Sequence, residues 1–178
     1  EPAGFQWSGN VFTAGFNGDQ ALHDVFNYIY QCGYRDLSVF GMGGEKLSSD
    51  ARNAGMRINI YNPGPAIGDL TDYGRRIGRI LAEPRRDHPR AVFISDDLGT
   101  IGAVTELTEQ GFNVPGDFAF ISWDGLKISR FFRQSVTTLE VPHRQMLDFA
   151  AAFVIGNPLT RHLEVHPRIR PGETMPLS

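Results

Sequence analysis

The sequence predicts an α/β fold, a parallel sheet flanked by helices, and three observations lead there. Short apolar runs at residues 37–40, 91–94 and 118–121 alternate with segments whose apolar side chains recur at helical spacing. Glycine, proline and asparagine punctuate the junctions between them. At 178 residues, with 41% hydrophobic and 21% charged side chains, the chain buries a core of ordinary composition without metals or crosslinks. Strands that are apolar along their whole length need cover on both faces, and a parallel sheet with right-handed crossovers between helices supplies it.

The elements follow in order. Leu22, Val25, Phe26 and Ile29 form one buried stripe of a helix over residues 19–32, which Gly33 ends in the left-handed region. Leu37, Val39 and Phe40 read as a buried strand closed by Gly41, Gly43 and Gly44, and a helical piece over 47–54 follows. The alternation Met56, Ile58, Ile60 predicts a second strand, broken by Asn62, Pro63, Gly64 and Pro65. Leu70, Tyr73, Ile77, Ile80 and Leu81 then recur at helical spacing, with Gly74 and Gly78 expected to let that helix approach the sheet. The pattern repeats with a strand at 91–94, a helix through Ile101, Val104 and Leu107 capped by Gly111, and a strand at 118–121. After Trp123 come a long segment over 124–134, a strand over 136–141, a helix over 142–155 opened by Pro142, and one last extended strand over 162–169.

Composition excludes several functions. A net charge of −3 argues against a duplex-binding surface, whose affinity comes from lysine and arginine neutralising phosphates. The local cluster Arg75, Arg76, Arg79, Arg85 and Arg86 reads as a solvated helix face. The single cysteine, Cys32, cannot form an internal disulfide and reads as a buried structural thiol. No apolar run is long enough to span a bilayer, and residues 1–8 lack the pattern of a secretory signal. No cofactor or metal site is expected. His23, His88, His143, His162 and His166 are scattered, and no nucleophile elbow, phosphate loop or metal-ligand spacing is present, so an enzyme is not expected.

In open parallel sheets ligands bind beyond the carboxyl ends of the strands. Asp96 and Asp97 follow one predicted strand, Asp124 follows Trp123 at the end of the next, and Ser48 and Arg52 follow the first strand and its glycine turn. Carboxylates, a hydroxyl and a guanidinium converging on one crevice suit the neighbouring hydroxyls of a sugar or related polyol. Other roles stay open. Aspartate at a helix start also caps free backbone donors, a role that competes with ligand contact more at Asp97 than at Asp96. Asp124 before Gly125 also suits a turn, Arg52 a solvated surface position, and Trp123 either packs in the sheet or borders the ligand.

The stretches AVFISDDLGTIGA from Ala91, EQGFNVPGDFAFISWDG from Glu109 and SVTTLEVP from Ser135 together resemble the motifs that close the effector domain of LacI/GalR transcription regulators. Upstream, SSDARNAG and YQCGYRDLSVFGM are similar to further stretches of that family, so the resemblance covers nearly the whole chain. It implies a lobe of the type I periplasmic-binding-protein-like fold: residues 34–134 and 158–178 as C-terminal lobe, 1–33 and 135–157 as part of the N-terminal lobe. It also implies that Ser48, Arg52, Asp96 and Asp124 contact a small-molecule effector, with Leu70 on the cleft wall, Asn17 reaching from the facing lobe and Trp123 at the border. Asp96 stands where the family usually has asparagine, which implies a ligand richer in donors, or a cationic one, whereas Gly125 stands where the family has a second aspartate, which removes one acceptor. The segment 55–68 is shorter than the family's.

The function so implied is effector sensing and dimerisation in a cytoplasmic bacterial repressor, with operator DNA bound only through a headpiece expected upstream of Glu1, and no membrane contact. The alternative from the same fold is a periplasmic sugar receptor of an ABC transporter.

Overall fold

The computed structural model describes residues 12–43, 45–65, 68–84, 89–156 and 160–177. Expectations on residues 1–11, Gly44, Arg85, Arg86, His88 and the boundary at 157/158 lie outside them.

Two sheets are present among the described residues. A six-stranded sheet has the order β3 (Arg57–Tyr61), β2 (Asp36–Phe40), β4 (Ala91–Ile94), β5 (Ala119–Asp124), β6 (Thr137–Glu140), β8 (Arg168–Arg170). All neighbours are parallel except β8, which runs antiparallel to β6. The small second sheet pairs β1 (Thr13–Gly15) with β7 (His162–Glu164). Among the described residues, six helices lie between the strands: α1 (Gly18–Gln31), α2 (Glu45–Asn53), α3 (Leu70–Ala82), α4 (Asp97–Glu109), α5 (Lys127–Phe131) and α6 (His143–Val154).

Strand periodicity sorts the core into two layers. Leu37, Val39, Phe93, Ile121 and Leu139 face α1 and α2, together with Val25, Phe26 and Ile29. Phe40, Val92, Ile94 and Phe120 face α3 and α4, with Tyr73, Ile77, Val104 and Leu107. Gly33 takes φ 88° as expected at the end of α1. Cys32 is only half-buried, at the edge of the first layer.

Four expectations need correction. Gly74 and Gly78 do not seat α3 on the sheet; they seat it on α4. A Cβ at Gly74 would stand 2.0 Å from the Gly99 carbonyl oxygen, one at Gly78 2.7 Å from Glu106 Cβ, and one at Gly102 2.1 Å from the Thr71 carbonyl oxygen. The arginines of α3 are likewise not a free solvated face: Arg75 pairs with Glu109 at 2.7 Å and Glu106 at 3.1 Å, and Arg79 with Glu106 at 3.1 Å, across the same helix contact. The final extended segment is two strands in different sheets, because the chain crosses from β7 to β8 around the buried Val165, whose N–H donates to Gly15 at 2.8 Å. Finally, α1 and β6 pack within the large sheet, whereas the expected divisions at 33/34 and 134/135 put them with the small unit.

The small unit, by contrast, is thin. α6 has no buried residue, and Leu147, Val154 and Ile155 are largely exposed, while Phe153 packs against Phe12 beside β1, with ring centroids 4.5 Å apart and the rings tilted by 38°. Three connections, at 15–18, 140–143 and 164–168, join it to the six-stranded sheet. Among the described residues no helix is long and apolar enough to cross a membrane.

Candidate functional site

The in-register parallel pairing brings the carboxyl ends of β3, β2, β4 and β5 to one edge: Phe40 lies opposite both Tyr61 and Ile94, and Ile94 opposite Ser122. A cleft of about 620 Å³ opens there, and its walls include Met42, Asn62, Leu70, Tyr73, Ser95 and Asp96. Arg76, reaching back from α3, holds the Pro65 carbonyl at 2.8 Å and so fixes the loop that forms the far wall.

Asp96 is the N-cap of α4: its Oδ1 accepts from the Gly99 N–H at 2.5 Å. Asp97, expected to be the more natural cap, is instead fully buried. Its Oδ1 accepts from the hydroxyls of Ser122 and, at 2.8 Å, Thr138, and its Oδ2 accepts from the Leu126 N–H at 2.6 Å. Ser122 and Thr138 are direct neighbours in the β5–β6 register, so one carboxylate ties two strands and the following loop to the start of α4.

Asp124, the last residue of β5 before that loop, has a φ of 109°, a conformation L-residues rarely adopt and one that strain concentrates at functional positions. Its N–H neighbour Gly125 donates to Thr138 Oγ1 at 3.2 Å. Gly125 takes φ 73°, and a Cβ there would lie 2.6 Å from Glu140 Cα, so no aspartate fits at this position with this backbone. Burial pushes the Asp124 carboxyl up to about 6, helped by the charges of Asp97 and Asp96 and opposed by His143. Burial, with Asp97 adding to it, also raises Asp96 against the lowering effect of its Gly99 bond. Tyr73 is raised by burial and by Asp96.

A carboxyl raised in the folded state binds more protons there than in the unfolded chain, so its contribution to stability declines as pH rises from about 4 to about 6 and is constant above. Asp124→Asn is therefore expected to gain stability relative to the parent across that window. Urea unfolding of both chains between pH 4 and pH 7 checks this; a stability gap independent of pH contradicts it.

The structure brings only some of the predicted residues together. Leu70 and Asp96 share the main cleft, and Asp124 lies within electrostatic reach of Asp96. Ser48 and Arg52 line an adjoining recess with Glu45 and Ser49, separated from the main cleft by Ile60, which borders both. Asn17 is apart from these, with Lys46 and Asp50, and its side chain is spent capping α1 through the Asp19 and Gln20 N–H groups, both at 3.1 Å. Trp123 packs against Phe16 at 5.8 Å and Phe93 at 6.3 Å, on the core side. Sequence reasoning missed Tyr73, Asn62 and Ser95 as wall residues. Asn62 followed by Pro63 had registered only as a breaker and Tyr73 only as part of a helical stripe, while the signal for Ser95 was its place beside Asp96.

A mostly parallel sheet with a cleft at the carboxyl edge of its strands, joined by three connections to a second small sheet, defines the class of periplasmic-binding-protein-like domains. Residues 33–175 match the family model described as a periplasmic binding protein-like domain. The chain belongs to that family. It is 26% identical to the HTH-type transcriptional repressor PurR of Escherichia coli O139:H28, over 90% of this chain and 48% of the repressor, and equally to PurR of Salmonella newport. The chain thus spans about half the length of the curated relatives it matches. In fold it is similar to the LacI family regulator CCPA from Weissella paramesenteroides with bound glucose, with TM-score 0.77, 12% identity and 96% of this chain against 66% of that one. A LacI family regulator from Arthrobacter sp. FB24 in complex with lactose gives TM-score 0.74, 14% identity, and 93% against 66%.

Proposed function

We propose that this chain is the effector-sensing part of a bacterial transcription regulator and that it binds a small hydroxylated ligand, a sugar or related polyol, at the carboxyl edge of its large sheet. The observation that carries the reading is the strained, protonation-shifted Asp124 at the end of β5, within electrostatic reach of Asp96, which lines the 620 Å³ cleft. Carboxylates accept hydrogen bonds from hydroxyls, Leu70 and Tyr73 offer an apolar wall, and Ser48 and Arg52 approach from the recess beyond Ile60. The sugars in the similar structures, glucose and lactose, agree with such a ligand. The small unit of β1, β7 and α6 is the beginning of a second lobe, and ligand binding biases how the two lobes sit, which is the change a DNA-binding headpiece elsewhere in the protein would read. On this proposal the protein is cytoplasmic, homodimeric, non-catalytic and free of cofactors, and it does not touch the membrane. The names of the relatives favour regulation over the transport-receptor alternative.

Calorimetric titration with glucose, lactose, sucrose and glucosamine tests this. At least one is expected to give saturable heat, with Asp124→Ala weakening it about tenfold or more, as loss of a charged hydrogen-bond partner does. Asp96→Asn keeps the helix cap and is expected to weaken the amine-bearing ligand more than the neutral sugars. Absence of heat with all four, or binding indifferent to both substitutions, overturns the proposal.

A further inference from the structure

A second polar groove lies at the far end of the same sheet, between α5 and the β6–β8 pair. Glu140 stands opposite Arg168 and Thr138 opposite Arg170. Side chains alternate along a strand, so these four share one face while Leu139 and Ile169 enter the core on the other. α5 lies over the polar face. Arg130 donates to both carboxylate oxygens of Glu140, at 2.6 and 2.8 Å. Arg170, only 16% exposed, donates from Nη2 to Ser129 Oγ at 2.7 Å, while its buried Nε lies 3.5 Å from Glu140 and has no hydrogen-bond partner.

One carboxylate is thus shared by two guanidiniums, and a third, Arg168, stands exposed at the rim with no ion pair among the described residues. The groove these residues line, with His166 and Gln145 as further polar groups, has a volume of about 630 Å³. Asp97 beneath offsets part of the charge on Arg170, yet three arginines face two carboxylates. Burial and the neighbouring Arg130 charge both disfavour the Arg170 cation as it stands, so an added negative charge would relieve it. A half-buried surplus of fork-shaped donors is the chemistry that selects phosphate and carboxylate.

We propose that this groove is a binding site for a small anion, a phosphate- or carboxylate-bearing metabolite, held by Arg130, Arg168 and Arg170. It is separate from the cleft at Asp96, with which it shares no wall residue. It borders two of the three connections between the sheets, through Pro142 and His166.

The full chain titrated with inorganic phosphate and, separately, citrate, followed by the NMR signals of the arginine Nε groups, tests the assignment. At least one anion is expected to shift the Arg168 and Arg170 signals saturably, with binding weakened about tenfold in Arg168→Gln, whose unfolding midpoint should stay that of the parent because the side chain is exposed. Sugar titrations at the other cleft should be the same in Arg168→Gln, so failure of one site is distinguishable from failure of the other. No saturable shift with either anion, or equal binding by parent and Arg168→Gln, overturns the proposal.

Discussion

Asp97→Ala is expected to destabilise the chain by about 3–5 kcal/mol, the range for stripping the partner from buried, hydrogen-bonded polar groups. The carboxylate is fully buried and receives three donors, the hydroxyls of Ser122 and Thr138 and the Leu126 N–H. Alanine leaves the two buried hydroxyls and the partly buried N–H without their acceptor. Isosteric Asp97→Asn restores one oxygen but turns an amide N–H₂ toward donors, so it is expected to recover less than half the loss. Because Leu126 ends the loop that holds Asp124 at φ 109°, either substitution should also weaken ligand binding beyond its effect on stability. Equilibrium unfolding in urea measures the first effect. A loss below about 1 kcal/mol, the worth of an ordinary exposed hydrogen bond, would mean that Asp97 is not the tie described.

The second large effect is expected at Gly102, where two physical terms oppose each other. Intrinsic helix propensity favours alanine over glycine by about 1 kcal/mol. The contact between α3 and α4 forbids it, since the new methyl would meet the Thr71 carbonyl oxygen at 2.1 Å and Arg75 N at 3.1 Å, backbone atoms that cannot swing away. Separating the helices also stretches the Arg75 and Arg79 pairs to Glu106. Overpacking of this kind costs roughly 1–3 kcal/mol or more and wins, so Gly102→Ala is expected to be net destabilising. Adding Gly74→Ala should then cost less than it does alone, because its clash with Gly99 is relieved by the same separation. A thermal midpoint raised by Gly102→Ala would show that the helices are not in such close contact.

What the sequence made legible was the alternation itself. Runs such as Val92, Phe93 and Ile94 declare strands buried on both faces, and the stripe through Tyr73, Ile77 and Leu81 declares the helix that covers one of them. From that alternation the carboxyl edge, and with it Asp96 and Asp124, follows by topology alone. Partner choice was not legible. Small residues at 74 and 78 announce a close approach but not to what, and α4 supplied the answer through Gly99 and Gly102. Nor could two adjacent aspartates be told apart, since the roles of Asp96 as cap and Asp97 as interior tie depend on which points toward Ser122 and Thr138, on strands some 25 and 41 residues away. The split of the last segment between two sheets hinges on Val165, the one buried residue between 160 and 170. Asn17 shows the opposite error: its place before a helix was read correctly, but the cap consumes the side chain that ligand contact would need.

The central claim is that a polyol ligand seats where the strands of the large sheet end. Two-dimensional amide NMR of the chain, titrated with whichever sugar gives calorimetric heat, measures this directly. The predicted result is that shifts concentrate on Asn62, Tyr73, Ser95, Asp96 and Asp124 and saturate together. Shifts gathered instead at the opposite edge, around Tyr34, Asp36 and Arg90, would contradict it.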